Sequence, residues 1–350
     1  MRAVPVCTDL ELLSNGVGGG HPATEVLGEV AERVLSAKTL LISAHVNPDG
    51  DALGSEVALA LGLRGLGKEA FVVNTDAVPE RFRQFFGQDF VLQVPGPTEA
   101  AALPAADLCV LLDTSEPARC GMLKERFFAP DQARVCLDHH VCPQPVAFDA
   151  HLVVTESPST GNLVLALLDR LGVELTREIA EAIWIALATD TGWFRFPNAT
   201  PWALQDAARL VAAGVPLESL YDKIYGDYSL ARVRLQGEVL AAIQTEFDEQ
   251  FAWSYVSREL LEGSGLDGGE LNGLVDSLKL VSGVKVFALI VELDDGGQKV
   301  SLRSRGDIDV ERIARALGGG GHTKAAGFRF AGSQAALLET LSPFVGDTLR

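Results

Sequence analysis

Short apolar runs alternate with amphipathic helical segments through the first part of the chain, and this alternation restricts the fold more than any other feature. Parallel strands need helical crossovers, and strands covered by helices on both faces are apolar throughout. The pattern therefore predicts an α/β domain with a mainly parallel sheet flanked by helices. The predicted strands are residues 39–44, 70–74, 107–113 and 134–138.

The rest of the chain changes character. Helices are predicted over residues 159–171, 176–189, 202–213 and 230–245. Strands then return, with a hairpin turn at residues 294–297, and favour a separate, smaller α+β domain. The resulting division is a flexible leader (1–22), a catalytic domain (23–198), a helical connector (199–249) and a C-terminal substrate-binding domain (250–350).

The chain is strongly acidic, with a formal net charge of −18. Such a charge repels a long phosphate backbone, so we expect no long nucleic acid as a partner. Residues 299–330 are the exception, because seven Lys and Arg residues there face three acidic ones, a local excess of +4. An anion-binding site is therefore expected in this stretch.

Several sequence features bear on location. No apolar run approaches the length of a membrane span, and the first residues lack the apolar core of a signal peptide. The five cysteines are odd in number and are not spaced as a disulfide framework. We therefore expect a cytoplasmic protein without a membrane partner.

Acidic residues and histidines follow the predicted strands. A single Asp in that position usually caps a helix or forms a turn. Here, however, such residues recur after successive strands, and ligands of open α/β sheets bind outside the carboxyl ends of strands. We therefore expect these side chains to converge on one edge of the sheet. They are His45, Asp49, Asp51, Asp113, Asp138, His139 and His140, together with Asp190 at the end of a helix.

Several carboxylates on one edge repel each other unless a cation lies between them. Carboxylate and imidazole ligands without a Cys-x-x-Cys motif favour Mn²⁺, with Mg²⁺, Co²⁺ and Fe²⁺ as alternatives. Six candidate ligands are too many for one tetrahedral zinc ion and suit two metal ions. A pair of metal ions activates water for phosphoryl displacement, so the pattern favours a metal-dependent hydrolase.

Four motifs resemble the signature motifs of the DHH phosphoesterase superfamily. They are His-Val-Asn-Pro-Asp-Gly-Asp (45–51), Leu-Leu-Asp (111–113), Leu-Asp-His-His (137–140) and Thr-Asp-Thr-Gly-Trp-Phe-Arg (189–195). Residues 300–305 and 318–328 resemble the DHH-associated C-terminal domain. Within the superfamily, the chain is similar to the stand-alone nanoRNases, which are bifunctional oligoribonucleases and phosphoadenosine-phosphate phosphatases, and to soluble cyclic-di-AMP phosphodiesterases.

The resemblance implies a role for each motif residue, and it implies attack on phosphorus by a hydroxide that bridges two cations. By this resemblance, His45 and Asp49 would be ligands of one Mn²⁺, and Asp51, His139 and Asp190 would be ligands of the second. Asp113 would bridge the two ions. His140 would face the scissile phosphate, and Asp138 would orient the site.

The glycine run at residues 318–321 allows two interpretations. It could be a helix C-cap followed by a flexible loop. Alternatively, its backbone N–H groups could form an anion nest with His322 beside it, which the local positive charge and the resemblance favour. The candidate substrate-binding residues are Arg195, Arg303, Ser304, Gly319, Gly320, Gly321 and His322.

These inferences predict hydrolysis of short oligoribonucleotides (nanoRNA, pApA) to mononucleotides, with pAp and cyclic di-AMP as overlapping substrates. Two alternatives stay open at this point. One is an enzyme that resembles inorganic pyrophosphatases, and the other is a non-catalytic nucleotide-binding sensor. A homodimer is expected by analogy alone.

Overall fold

The computed structural model describes residues 22–87, 90–141, 148–226, 228–266, 271 and 273–350. The chain divides into two units between Gly226 and Asp227. The predicted leader lies outside the described residues except for Pro22, at which the first helix begins. The finer boundaries of a connector at residues 199–249 stay a prediction.

A six-stranded sheet forms the first unit, and all its neighbouring strands are parallel, in the order β3-β2-β1-β4-β5-β6. This confirms the predicted α/β architecture. The two outer strands, β3 and β6, were not predicted from the sequence, because they are short and only partly buried. The strands are β1 (Thr39–Ser43), β2 (Glu69–Asn74), β3 (Val91–Gln93), β4 (Leu108–Leu112), β5 (Arg134–Asp138) and β6 (Ala150–Val153).

Helices flank this sheet and bury apolar residues in one hydrophobic core with it. The helices of the unit are α1 (Pro22–Ser36), α2 (Gly50–Gly65), α3 (Glu80–Arg83), α4 (Pro97–Ala102), α5 (Lys124–Phe127), α6 (Thr160–Arg170), α7 (Arg177–Asp190), α8 (Pro201–Ala212) and α9 (Leu217–Tyr221), with a 3₁₀ turn at Pro117–Leu123 and a π turn at Asp222–Gly226. Of these, α1, α2, α6, α7 and α8 each contribute several buried residues to that core.

Helix α2 lies directly against α7 because glycines face that helix. A Cβ atom at Gly54 would lie 2.9 Å from the backbone nitrogen of Ala186 and closer still to the carbonyl oxygen of Ala182. A Cβ atom at Gly50 would lie 2.7 Å from a methyl carbon of Thr189. Backbone therefore meets backbone along this contact, and the N-terminus of α2 is brought beside the C-terminus of α7.

The second unit contains another six-stranded sheet, in the order β11-β12-β10-β9-β8-β7. Only the β8–β9 pair is parallel, so this sheet is mixed, as expected for an α+β domain. The elements are α10 (Leu230–Ala241), β7 (Gln244–Glu246), β8 (Phe251–Val256), α11 (Arg258–Ser264), a 3₁₀ turn (Leu274–Leu280), β9 (Val286–Glu292), β10 (Gln298–Ser304), α12 (Val310–Ala316), β11 (Gly320–His322), β12 (Ala325–Phe330) and α13 (Gln334–Leu349).

Two local predictions in this unit differ from the structure. The helix expected over residues 230–245 ends at Ala241, because the chain then enters β7 and pairs with β8. The glycine run was predicted to be either a C-cap with a flexible loop or an anion nest, and no strand was predicted there, but Gly320–His322 forms an edge strand against β12. Among the described residues, no helix is both long and apolar enough to cross a lipid bilayer.

The α2–α7 contact predicts that Gly54→Ala destabilises the protein. Forcing a methyl group between two backbones costs about 1–3 kcal/mol, more than the gain of about 1 kcal/mol that alanine brings to a helix. Urea denaturation followed by circular dichroism should therefore show a lower free energy of unfolding. Gly65→Ala is the matched control, because nothing lies within 4 Å of a Cβ atom at this position of the same helix. Equal effects at both positions would contradict the close contact.

Candidate metal centre

The candidate site lies where three adjacent strands of the first sheet end. His45 and Asp49 follow β1, Asp113 follows β4, and Asp138 is the last residue of β5. The chain leaves β1 towards β2 on one side, while β4 lies on the other side, so this edge is a topological switch point at which α/β proteins bind ligands. Helix α7 brings Asp190 to the same edge.

Asp113 is at the centre of the site. It is only 1% exposed and has a left-handed backbone, with φ of 59°. Its Oδ1 accepts a hydrogen bond from the Thr160 hydroxyl at 2.9 Å. Nε2 of His45 lies 3.4 Å from its Oδ2, and Nε2 of His139 and Nδ1 of His140 each lie 3.6 Å from its Oδ1. Burial alone would raise the pKa of the Asp113 carboxyl, but these imidazoles hold it below its usual range.

Asp51 has a different environment, at the N-terminus of α6. Its two oxygens accept hydrogen bonds from the backbone nitrogens of Thr160 (2.8 Å) and Gly161 (3.0 Å). A helix N-terminus favours a carboxylate. Burial nevertheless raises the pKa of Asp51 well above its usual value, and the negative charges of Asp113 and Asp190 raise it further.

His139 places its Nε2 among these carboxylates. Its Nδ1 lies 3.2 Å from the carbonyl oxygen of Ser157, which can only accept, so Nδ1 is the donor of this hydrogen bond. Nε2 is buried and has no hydrogen-bond partner among the described residues. It lies 3.6 Å from Asp51 and Asp113 oxygens and 3.8 Å from an Asp190 oxygen. An imidazole nitrogen surrounded by carboxylate oxygens is a set of ligand atoms that fits a cation.

His45 and Asp49 form the outer part of the site. Nδ1 of His45 lies 2.8 Å from the Val46 carbonyl oxygen, so its Nε2 is directed at Asp113. Burial lowers the pKa of His45, but the hydrogen bond to Asp113 and its charge raise it by more. Asp49 is the N-cap of α2, and its Oδ1 accepts from the backbone nitrogens of Asp51 (3.0 Å) and Ala52 (3.2 Å).

Asp190 is the last residue of α7, and its side chain accepts a hydrogen bond from the loop that follows the helix. The side-chain nitrogen of Asn198 donates to its Oδ2 at 3.0 Å and to the Pro158 carbonyl oxygen at 2.9 Å. Burial raises the pKa of Asp190 to about 7, with further contributions from the charges of Asp113 and Asp49.

Asp138 and His140 form a separate pair at the same edge. Asp138 Oδ1 accepts from the His140 backbone nitrogen at 3.0 Å and from its Nδ1 at 2.8 Å. Burial lowers the pKa of His140, but the hydrogen bond to Asp138 and the charge of Asp113 outweigh it and raise the pKa to about 9. The imidazole is thus oriented by Asp138 and holds a positive charge at neutral pH.

The structure therefore brings all eight predicted residues of the sheet edge together. Seven of them form three groups, and within each group the potential ligand atoms lie within 4.8 Å of one another. The groups are His45, Asp49 and Asp113; Asp51, His139 and Asp190; and Asp113, His139 and His140. Asp113 and His139 each belong to two of these groups.

The predicted substrate-binding residues of the second unit have protein partners of their own. Nε of Arg303 lies 3.2 Å from Asp276, whose carboxylate also contacts Lys279 at 3.0 Å. The Ser304 hydroxyl is buried and donates to the Ile308 carbonyl oxygen at 2.7 Å. In the first unit, the exposed Arg195 donates through Nε to the carbonyl oxygen of Gly192 at 2.6 Å.

The glycine run has a structural requirement that the sequence did not reveal. A Cβ atom at Gly319 would lie 2.8 Å from Cα of Phe328, and one at Gly321 would lie 2.6 Å from Cα of Ala326. These glycines thus allow close pairing with β12, whatever else they bind. The predicted contribution of the His322 side chain lies outside the described residues.

Sequence reasoning missed two buried residues near the candidate ligands. Thr160 donates to both Asp51 and Asp113, although its Ser-Thr-Gly context resembles an ordinary helix start. Glu56 is fully buried in α2, where it accepts from Asn74 at 2.8 Å, and burial raises its pKa well above the usual value. A single Glu in the otherwise uncharged stretch of residues 52–63 was the available signal.

Comparisons with known proteins find related domains, sequences and structures over most of the chain. Residues 39–187 match the DHH family, N-terminal domain, and residues 248–347 match the DHHA1 domain. A protein of Thermus thermophilus named bifunctional oligoribonuclease and PAP phosphatase NrnA is 36% identical, over 82% of this chain and 83% of its own length. The protein of the same name from Bacillus subtilis is 28% identical over 83% and 88%. The crystal structure of an exopolyphosphatase-related protein from Bacteroides fragilis superposes with a TM-score of 0.87, at 25% identity over 93% and 98% of the two chains.

The raised pKa of Asp190 predicts a pH-dependent stability in the cation-free protein. The folded protein keeps a proton on this carboxyl up to about pH 7, whereas the unfolded chain releases it near pH 4, so the free energy of unfolding should fall as pH rises between these values. Asp190→Asn removes this charge, and at pH 8 it should stabilise the chelator-treated protein by about 1–3 kcal/mol. Urea denaturation at pH 5 and pH 8 measures both effects. The exposed Asp131→Asn is the control, and identical pH profiles for the two variants would refute the prediction.

Proposed function

The chain belongs to the DHH family of metal-dependent phosphoesterases and carries a DHHA1 domain, and we propose that it hydrolyses short 5′-phosphorylated oligoribonucleotides such as pApA to mononucleotides. The observation that carries the proposal is the set of ligand groups that share Asp113 and His139 at the sheet edge. Neighbouring groups that share a ligand are the arrangement required for two metal ions a few ångströms apart.

Two divalent cations fit the residues that are present. Nε2 of His139 has no hydrogen-bond partner among the described residues, and the carboxylates of Asp51 and Asp190 beside it repel each other unless a positive charge lies between them. Mixed oxygen and imidazole ligands suit Mn²⁺ best, with Mg²⁺, Co²⁺ and Fe²⁺ as alternatives. When bound, such cations lower the pKa of water and stabilise negative charge on phosphate oxygens.

The proposed roles follow from the groups that the side chains form. His45 and Asp49 hold one cation together with Asp113, while Asp51, His139 and Asp190 hold the other. The Val46 and Ser157 carbonyl oxygens accept from the Nδ1 atoms of His45 and His139, so Nε2 is the ring atom of each that we propose as a cation ligand. Thr160 orients Asp113 through its hydroxyl, so that the shared carboxylate keeps one rotamer.

His140 is proposed to act on the substrate phosphate. Asp138 holds the imidazole by two hydrogen bonds and raises its pKa, so the ring carries a proton at neutral pH. A charged imidazole at the edge of the site donates to a phosphate oxygen and stabilises the charge that develops there. Asp138 therefore serves this step by orienting His140.

Short substrates are favoured by charge and by similarity. The net charge of −18 opposes long nucleic acids, whereas residues 299–330 have a local charge of +4. The names of the Thermus and Bacillus relatives describe activity on oligoribonucleotides and on PAP. We propose that Arg303, Gly319, Gly320, Gly321 and His322 bind a phosphate group of the substrate, with Asp276 orienting the Arg303 guanidinium. pAp and cyclic di-AMP are proposed as overlapping substrates.

The proposed function predicts a substrate profile. Chromatography of products from pApA, pAp, cyclic di-AMP, pyrophosphate and a 24-nucleotide RNA, each with Mn²⁺ and with chelator, should show fast, metal-dependent release of AMP from pApA and little from the long RNA. Asp113→Asn should lower the rate on pApA by at least about 100-fold without loss of the fold, because the shared carboxylate is removed. Asp131→Asn serves as the control.

Two results would contradict this profile. Cleavage of pyrophosphate alone would assign the protein to pyrophosphatase chemistry. Absence of turnover with every compound, together with tight nucleotide binding, would identify a sensor.

Arg303→Ala and His322→Ala are predicted to impair use of pApA mainly through binding. Loss of a guanidinium contact to phosphate should raise KM about tenfold, and kcat should change less. Steady-state kinetics with pApA measures both constants. Arg234→Ala is the control, because Arg234 is exposed on helix α10 of the same unit and lies outside residues 299–330. If kcat/KM stays at the wild-type value in both test variants, the second unit does not bind the substrate in the proposed way.

A further inference from the structure

The loop that carries His45 and Asp49 contains an unusual backbone conformation. Between these two residues, Asn47 has a left-handed backbone with φ of 53°. L-residues disfavour this region, although asparagine tolerates it better than most. Asn47 also precedes Pro48, and a following proline disfavours the ordinary right-handed helical conformation. The loop therefore depends on an outside contact to keep this turn.

Asp76 supplies such a contact from the neighbouring strand. It lies two residues beyond the end of β2 and is partly buried. Its Oδ2 accepts a hydrogen bond from the Asn47 backbone nitrogen at 2.7 Å. A carboxylate that accepts from a backbone N–H forms a short, charge-assisted hydrogen bond. The loop is also held from its other side, where the Val46 nitrogen donates to the Arg119 carbonyl oxygen at 2.7 Å.

The turn at Asn47 sets the spacing between two potential ligands. His45 lies two residues before it and Asp49 two residues after it. The ligand atoms of both lie within 4.8 Å of each other and of Asp113. Asp76 itself is not part of any ligand group among the described residues. It acts on the backbone between the ligands and not on the ligands themselves.

We propose that Asp76 is a positioning residue that sets the cation affinity of the group formed by His45, Asp49 and Asp113. The inference rests on the proposed two-cation function. The other group, formed by Asp51, His139 and Asp190, has its own support from Asn198 and from the N-terminus of α6. Loss of Asp76 therefore weakens one cation site and leaves the other unchanged.

The test is a Mn²⁺ titration of the full-length, chelator-treated protein, with free Mn²⁺ measured by electron paramagnetic resonance. Wild type should bind two ions. Asp76→Ala should weaken one of them by about 10–100-fold, the usual scale for residues that orient metal ligands. Asp76→Asn keeps an acceptor oxygen, so it should show a smaller loss at the same site, and it replaces the alanine variant if that variant does not fold.

Double variants assign the affected site. In a His45→Ala background, which already lacks a ligand of this group, Asp76→Ala should add no further loss. In an Asp190→Ala background it should still produce the full loss. Asn198→Ala is the reciprocal control and should weaken the other site. Thermal unfolding in chelator separates these effects from general destabilisation.

Three outcomes would overturn the proposal. Unchanged affinity at both sites in Asp76→Ala would remove the positioning role while leaving the proposed function intact. Equal weakening of both sites would show that Asp76 supports the fold in general. If wild-type protein bound no divalent cation, both the positioning role and the two-cation function would fail.

Discussion

Mutual repulsion among three closely spaced carboxylates is the constraint around which the first unit is organised. Asp51, Asp113 and Asp190 each place an oxygen within 4 Å of Nε2 of His139. A fold can hold such a cluster only by supplying protons, cations or hydrogen-bond donors. The pKa values of Asp51 and Asp190 are raised, so these carboxyls bind protons more readily than usual when no cation is present. Divalent cations would replace those protons in the working enzyme.

The surroundings of Asp113 and Asp51 shift the pKa values of these two carboxyls in opposite directions. Asp113 faces imidazoles and a threonine hydroxyl, and its pKa is lowered, whereas Asp51 faces backbone nitrogens and other carboxylates, and its pKa is raised. The carboxylate shared between groups is therefore the one that stays ionised most readily. That property suits the role of shared cation ligand that we propose for Asp113, since protonation would remove one of its donor oxygens.

Much of this organisation could be predicted from the sequence, because the interior strands are largely apolar and the candidate ligands lie at or just after the ends of three of them, β1, β4 and β5. The edge strands β3 and β6 are too short and too little buried to show such a signal. Contacts between distant segments were also hidden. Thr160 meets Asp113 across 47 positions and Asp76 meets Asn47 across 29, and no local pattern encodes either pairing. The strand within the glycine run was not predicted, because its pairing with β12 depends on close packing that composition does not reveal.

The close approach of α2 to α7 has a consequence for the spacing of two candidate ligands. At Gly54 backbone lies against backbone, so the distance between the helices there is set by main-chain atoms and not by a side-chain rotamer. Asp51 lies at the start of α2 and Asp190 at the end of α7. The helix contact therefore sets the separation of their main chains, and only rotation of the two short carboxylate side chains changes the distance between their oxygen atoms.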